Sequence, residues 1–120
     1  MNERVRFFTH KGKEILLIDF SNGAPAEVLA AMQEAQRVIG KRPYGSVRTL
    51  TNVTDGRYDR EVTEALKAYV AHNKPYVVAG AVVGLNDLKT ILFNFLNRFT
   101  GRTLRAMESL DSAKEWLATF

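Results

Sequence analysis

Cysteine is absent from the 120 residues, which excludes disulfides, thiolate metal sites and cysteine nucleophiles and is compatible with a reducing compartment such as the cytoplasm. Histidine is scarce. Its two copies, His10 and His72, have neither a metal-binding spacing nor a reactive companion nearby in sequence, so they predict surface roles and no metal centre. Nowhere do about 18 apolar residues run uninterrupted, and Met1 to His10 interleaves charges with apolar residues. Neither a membrane span nor a secretion signal is expected. Gly80 and Gly84 are followed by no Gly-Lys-Ser/Thr, which excludes a phosphate-binding P-loop. There is also no low-complexity tract, repeat or linker.

Hydrophobic residues make up 46% and charged residues 25%, the usage of an ordinary globular chain, and the length suits a single domain over residues 1–120. The formal charge is +4, but the 17 basic residues are scattered among 13 acidic ones. Charge spread in this way serves solubility and does not indicate nucleic acid.

Arg4 to Thr9 alternates polar and apolar residues and is followed by Lys11, Gly12 and Lys13, which predicts an edge strand entering a hairpin. The next run, Glu14 to Phe20, is nearly all apolar, as a strand covered on both faces requires. Pro25 then opens a helix, with Val28, Met32, Ala35 and Ile39 at helical spacing and Gly40 at its end. A strand over Ser46 to Val53 leads to a helix capped by Asp59, whose inward face carries Val62, Leu66, Tyr69 and Asn73. Tyr76 to Val83 predicts a strand inside a parallel sheet, and Asn86 caps a helix reaching about Thr100. A short strand near Thr103 to Met107 and a helix begun by Ser109 or Asp111 complete the chain.

Strands alternating with helices in this order predict an α/β fold with a mostly parallel five-stranded sheet, an antiparallel N-terminal hairpin strand and four strand-helix turns. That order, with the closing segment Arg105 to Leu117, resembles the STAS superfamily, the domain of anti-sigma-factor antagonists and of sulfate-transporter tails. It is closest in character to the small stand-alone, sporulation-factor-antagonist-like bacterial proteins. The resemblance implies a non-enzymatic module that presents loops and a helix to partners, or a pocket like that of lipid-binding domains. Signalling members carry a phosphorylatable Ser or Thr in an Asp-Ser-Ser/Thr-Gly pattern after the third strand. Here the matching stretch runs from Asn52 to Asp59; Asp55 fits, Gly56 stands at the serine position, and Thr54 is the nearest hydroxyl.

Two regions are candidate contact surfaces. Loops after parallel strands emerge at one end of a sheet, which should gather Ser21 and Asn22, Thr54, Asp55, Gly56 and Arg57, and Leu85 to Asp87 at a common rim. Helix N-termini there favour anions, and Arg57 would reinforce them. Against this, Ser21, Asp59 and Asn86 are also the residue types that turns and caps need. The other region is the third long helix. Leu88, Ile91, Leu92, Phe95, Leu96 and Phe99 span an arc of about 140° that is expected to face the sheet, leaving Phe93 about 60° beyond its edge and exposed to a partner.

The function expected is protein interaction or small-ligand binding, with Thr54 to Arg57, Asn86 and Phe93 as the contacts. A peripheral membrane or lipid-binding role through the third helix, and an enzyme with an unrecognised site at the strand-end rim, are the alternatives. No cofactor is implied. The partners open to such a module are a protein, a small anionic or lipid-like ligand, a second copy of the chain, or a membrane surface held weakly.

Overall fold

A computed structural model describes residues 2–100 and 104–120, with the backbone alone at 99 and 100. Its elements run β1 (Val5–His10), β2 (Lys13–Asp19), α1 (Pro25–Ile39), β3 (Val47–Asn52), α2 (Arg60–Asn73), β4 (Val77–Val83), α3 (Asp87–Thr100), β5 (Leu104–Met107) and α4 (Leu110–Leu117). The sheet order is β1-β2-β3-β4-β5; β1 and β2 are antiparallel and every later pair is parallel. The predicted fold class is therefore observed, element for element, although the expected strand start at Thr103 and helix stop at Gly101 lie outside the described residues.

The hairpin closes through Lys11 and Gly12, both at positive φ (51° and 77°). A turn of that hand matches the twist of the two strands it joins. β2 shows why its apolar run is nearly continuous: Leu16 and Ile18 face one layer of the core, Ile15 faces the other, and all three are buried.

The two faces of the sheet are covered unequally. On one, α1, α2 and α3 lie over Leu16, Ile18, Val47 and Val82. On the other, α4 alone, through Ala113 and Leu117, covers Ile15, Leu50, Ala81 and Val83.

The helices begin where local chemistry tells them to. Glu27 Oε1 accepts from the Ala24 N–H at 3.0 Å and Glu27 Oε2 accepts from Arg4 Nη2 at 3.3 Å, closing the first turn of α1 behind Pro25. Arg4 Nη1 also donates to the carbonyls of Asp19 and Ser21, so one side chain just ahead of β1 latches the loop that enters α1. Asp59 Oδ1 accepts from Val62 N at 2.9 Å at the head of α2, and Ser109 Oγ from Ser112 N at 3.0 Å at the head of α4. Each bond satisfies a backbone donor that has no partner inside its helix.

Candidate functional site

At the carboxyl end of the parallel strands the loops are laced together by backbone hydrogen bonds. Asn22 N donates to Thr54 O, Val53 N to Val83 O and Arg57 N to Gly23 O, each at 2.9 Å. The loop after β4 crosses tightly over the loop after β3. Gly84 has φ +89°, and a Cβ there would lie 2.6 Å from the Thr54 nitrogen, closer than any side chain tolerates. Thr54, Asp55, Gly56, Arg57 and Asn86 thus share one rim.

Most of the polar groups at this rim are engaged in holding its shape. The Thr54 hydroxyl donates to Asn52 Oδ1 at 2.7 Å, and Asn86 Oδ1 accepts from Lys89 N at 2.9 Å as the cap of α3. Gly56 is buried, and a Cβ on it would come within 2.6 Å of the Phe20 carbonyl oxygen. Position 56 is therefore closed to any side chain unless the loop shifts. Asp55, at φ 54°, and Arg57 are exposed.

Beneath the rim lies a cavity of about 70 Å³ between the sheet and the α2–α3 layer. Several times the space a single water needs is thus present in a mostly apolar setting. Its floor is Ile18, Thr49, Thr51 and Val82; Leu66, Tyr69, Val70 and Asn73 of α2 form one wall; Lys89, Leu92, Phe93 and Leu96 of α3 form the other. Tyr58 and Lys89 stand where the cavity meets the rim. Lys89 Nζ donates to the Val53 carbonyl at 2.8 Å and sits 5.2 Å from the centroid of the Tyr58 ring. Partial burial pulls the Lys89 ammonium below the usual lysine range, with the Asp55 carboxylate opposing that shift. Burial, assisted by the neighbouring Tyr69, pushes Tyr58 far above the usual phenol range, so it stays neutral.

The placement of α3 corrects the expectation for Phe93. Phe93 is half-buried against the main core and lines the cavity, whereas Leu88, Ile91 and Phe95 are 79%, 68% and 41% exposed. Of the six residues expected to face the sheet, Leu92 and Leu96 do so; the Phe99 side chain is outside the described residues. The helix is turned by roughly 90° from the orientation its apolar arc predicts, at 100° per residue.

Two polar side chains explain the turn. Asn97 brackets the first residue of β5, accepting from Leu104 N at 3.0 Å and donating to Leu104 O at 3.2 Å. Lys89, two helical turns earlier on the same side, reaches the Val53 carbonyl. Both must face inward to make these bonds, which satisfy backbone groups beside the core, and Phe93 lies in the same half of the helix and is carried in with them.

Lys89, Tyr58 and Asn97 carry structural or site roles that periodicity does not reveal. A lysine in a first helical turn, where the helix dipole disfavours cations, was the one available signal for Lys89. His10 lies 3.3 Å from Glu115 Oε1, and His72 bonds Asn73 and stacks on Tyr76. Among the described residues no group of three His, Asp or Glu side chains is placed to hold a metal ion, and no helix is long and apolar enough to cross a membrane.

No family model, curated protein or solved structure matches the chain.

Proposed function

We propose that this chain is a STAS-like, non-enzymatic binding module whose ligand is small and largely apolar, held in the cavity between the sheet and the α2–α3 layer. The cavity itself carries the reading: it is lined mainly by aliphatic and aromatic side chains, with a few polar groups at its floor and mouth. That is the composition by which small-molecule sites are generally recognised. The antiparallel first pair followed by parallel strands in sequential order supports the STAS-like assignment. The closed position at Gly56 argues for ligand binding over a phosphorylation switch in the loop after β3.

The test is saturation-transfer NMR with benzene and 1-hexanol as probes. Transfer to both is expected for the wild-type chain. It should vanish in Val82→Phe, whose added ring occupies the cavity floor, provided circular dichroism shows that variant folded. Absence of transfer from the wild-type protein refutes the reading.

A peripheral membrane role is favoured by a different observation. Leu88, Ile91 and Phe95 form an exposed apolar stripe on α3, with Lys67 Nζ 5.3 Å from the Phe95 ring centroid. Co-sedimentation with anionic vesicles that weakens with added salt, and is lost in Ile91→Ser, supports this role. No co-sedimentation at low salt refutes it.

A further inference from the structure

Resting on the cavity reading, we propose that the ligand is a single-chain amphiphile with a carboxylate head, its tail in the cavity and its head met by Lys89 Nζ. Lys89 is the only cationic side chain among the described residues that line the cavity. Among the described residues its Nζ makes one hydrogen bond, to the Val53 carbonyl at 2.8 Å, which leaves two of the three N–H donors for a ligand.

The ammonium is poorly compensated where it stands. It is partly withdrawn from water, and among the described residues no carboxylate lies within ion-pair distance of it. It also belongs to the first turn of α3, next to the positive end of that helix's dipole. Asp87 in the same turn and Asp55 in the loop after β3 offset this only through space. A carboxylate arriving at Nζ supplies the missing counter-charge through a charge-assisted hydrogen bond.

The head group and the tail follow from the same geometry. One cation balances one negative charge, which selects a monoanionic carboxylate over a phosphate dianion. About 70 Å³ of partly open space takes the inner methylenes of one alkyl chain, the rest lying toward the mouth, and excludes a two-chain lipid. Leu92, Leu96, Val82 and Ile18 give that chain an apolar surrounding, and Tyr58, neutral and adjacent to Nζ, presents a ring face to the ammonium.

Three probes of equal chain length separate head group from tail: octanoate, 1-octanol and octylamine, titrated calorimetrically into the wild-type chain, Lys89→Met and Lys89→Arg. Octanoate should bind wild type at least ten-fold more tightly than octanol, with octylamine weakest. Lys89→Met should bring octanoate down to the level of octanol, and Lys89→Arg should keep most of the preference. Equal binding of octanoate and octanol to wild type overturns the head-group assignment while leaving the cavity reading intact. Binding of none of the three overturns both. A preference for octanoate that survives in Lys89→Met overturns the assignment to Lys89. If Lys89→Met does not fold, the wild-type and Lys89→Arg series decide, since loss of the preference in folded Lys89→Arg would likewise overturn it.

Discussion

α2 and α3 are helices of 14 residues each, side by side on one face of the same sheet, yet they obey different rules. In α2 the apolar positions and the buried positions coincide: Val62, Leu66, Tyr69 and Val70 are apolar and inward, and the acids and most of the bases are outward. In α3 the apolar arc is wider than the surface available to it. The buried half is chosen by Lys89 and Asn97, and part of the arc, at Leu88, Ile91 and Phe95, remains in solvent. Hydrophobic periodicity orients a helix when only one face can be buried. When the apolar arc exceeds that face, a few directional hydrogen bonds decide the rotation, because each buried backbone group left unpaired costs about 1–3 kcal/mol.

The sharpest test of this contrast truncates one aliphatic residue in each helix. Leu66→Ala in α2 should lose about 2–5 kcal/mol by opening a cavity in the core, while Ile91→Ala in α3 should stay within about 0.5 kcal/mol as an exposed change. Urea unfolding with equal m-values measures both. Similar losses in the two variants would place the outer face of α3 in the core after all.

Within α3 the same logic reverses the order that periodicity alone suggests for its aromatics. Phe93→Ser should destabilise by about 2–3 kcal/mol, since it removes a half-buried ring from the core, and Phe95→Ser by less than about 1 kcal/mol. The ranking of the two thermal midpoints is the readout, and a lower midpoint for Phe95→Ser would restore the orientation expected from the apolar arc.

Asn97→Leu adds apolar surface and takes away only the amide. If the bracket on Leu104 sets the rotation of α3, the change should cost about 1–2 kcal/mol despite the gain in hydrophobicity. It should also speed hydrogen exchange at the Leu104 N–H. A stabilised variant with unchanged exchange would return the decision to the apolar arc.

The smallest expected effect concerns protons. Tyr58, just ahead of α2, has its folded-state pKa raised, so its contribution is complete below the ordinary phenol value of about 10 and is lost as pH rises above it. Lys89 in α3 is shifted the opposite way, downward by burial. Its penalty is present at neutral pH and is relieved as pH rises from its folded value toward the ordinary lysine value, a gain in stability with pH. Wild type should therefore lose stability above about pH 10, Tyr58→Phe should lose less over the same range, and Lys89→Met should lose slightly more. Denaturant midpoints taken from pH 8 to 11 show whether the two variants depart from wild type in opposite directions.

Much of the candidate site follows from local sequence. The rim residues Thr54 to Arg57 and Asn86 come together because parallel strands release their loops at one end, and that was legible from the order of strands and helices. The cap that Asn86 places on α3 was legible too, but the bond from Thr54 to Asn52 and the pressing of Gly56 against the Phe20 carbonyl were not. The Gly56 contact depends on backbone more than 30 residues away in sequence. The cavity had no local signature, for Ile18, Thr49, Leu66, Val82 and Leu92 each read as ordinary core residues. The space they leave is a property of how α2 and α3 stand over the sheet.

The sequence by itself determined the elements, their order and the sheet they make, because caps, turn residues and apolar alternation act over a few residues and agree with one another. β2 buried on both faces, α1 inward through Val28, Met32, Ala35 and Ile39, and Asp59 and Ser109 as caps all follow from short-range chemistry. Tertiary structure alone decided the rotation of α3, the placing of Phe93 inside and of Phe95 outside, and the cavity with Lys89 at its mouth. Each of these turns on a bond from α3 to a distant backbone group, Val53 in one case and Leu104 in the other. Such a bond forms only after the sheet exists, and it outweighs the difference between burying one part or another of an apolar arc wider than the surface it can cover.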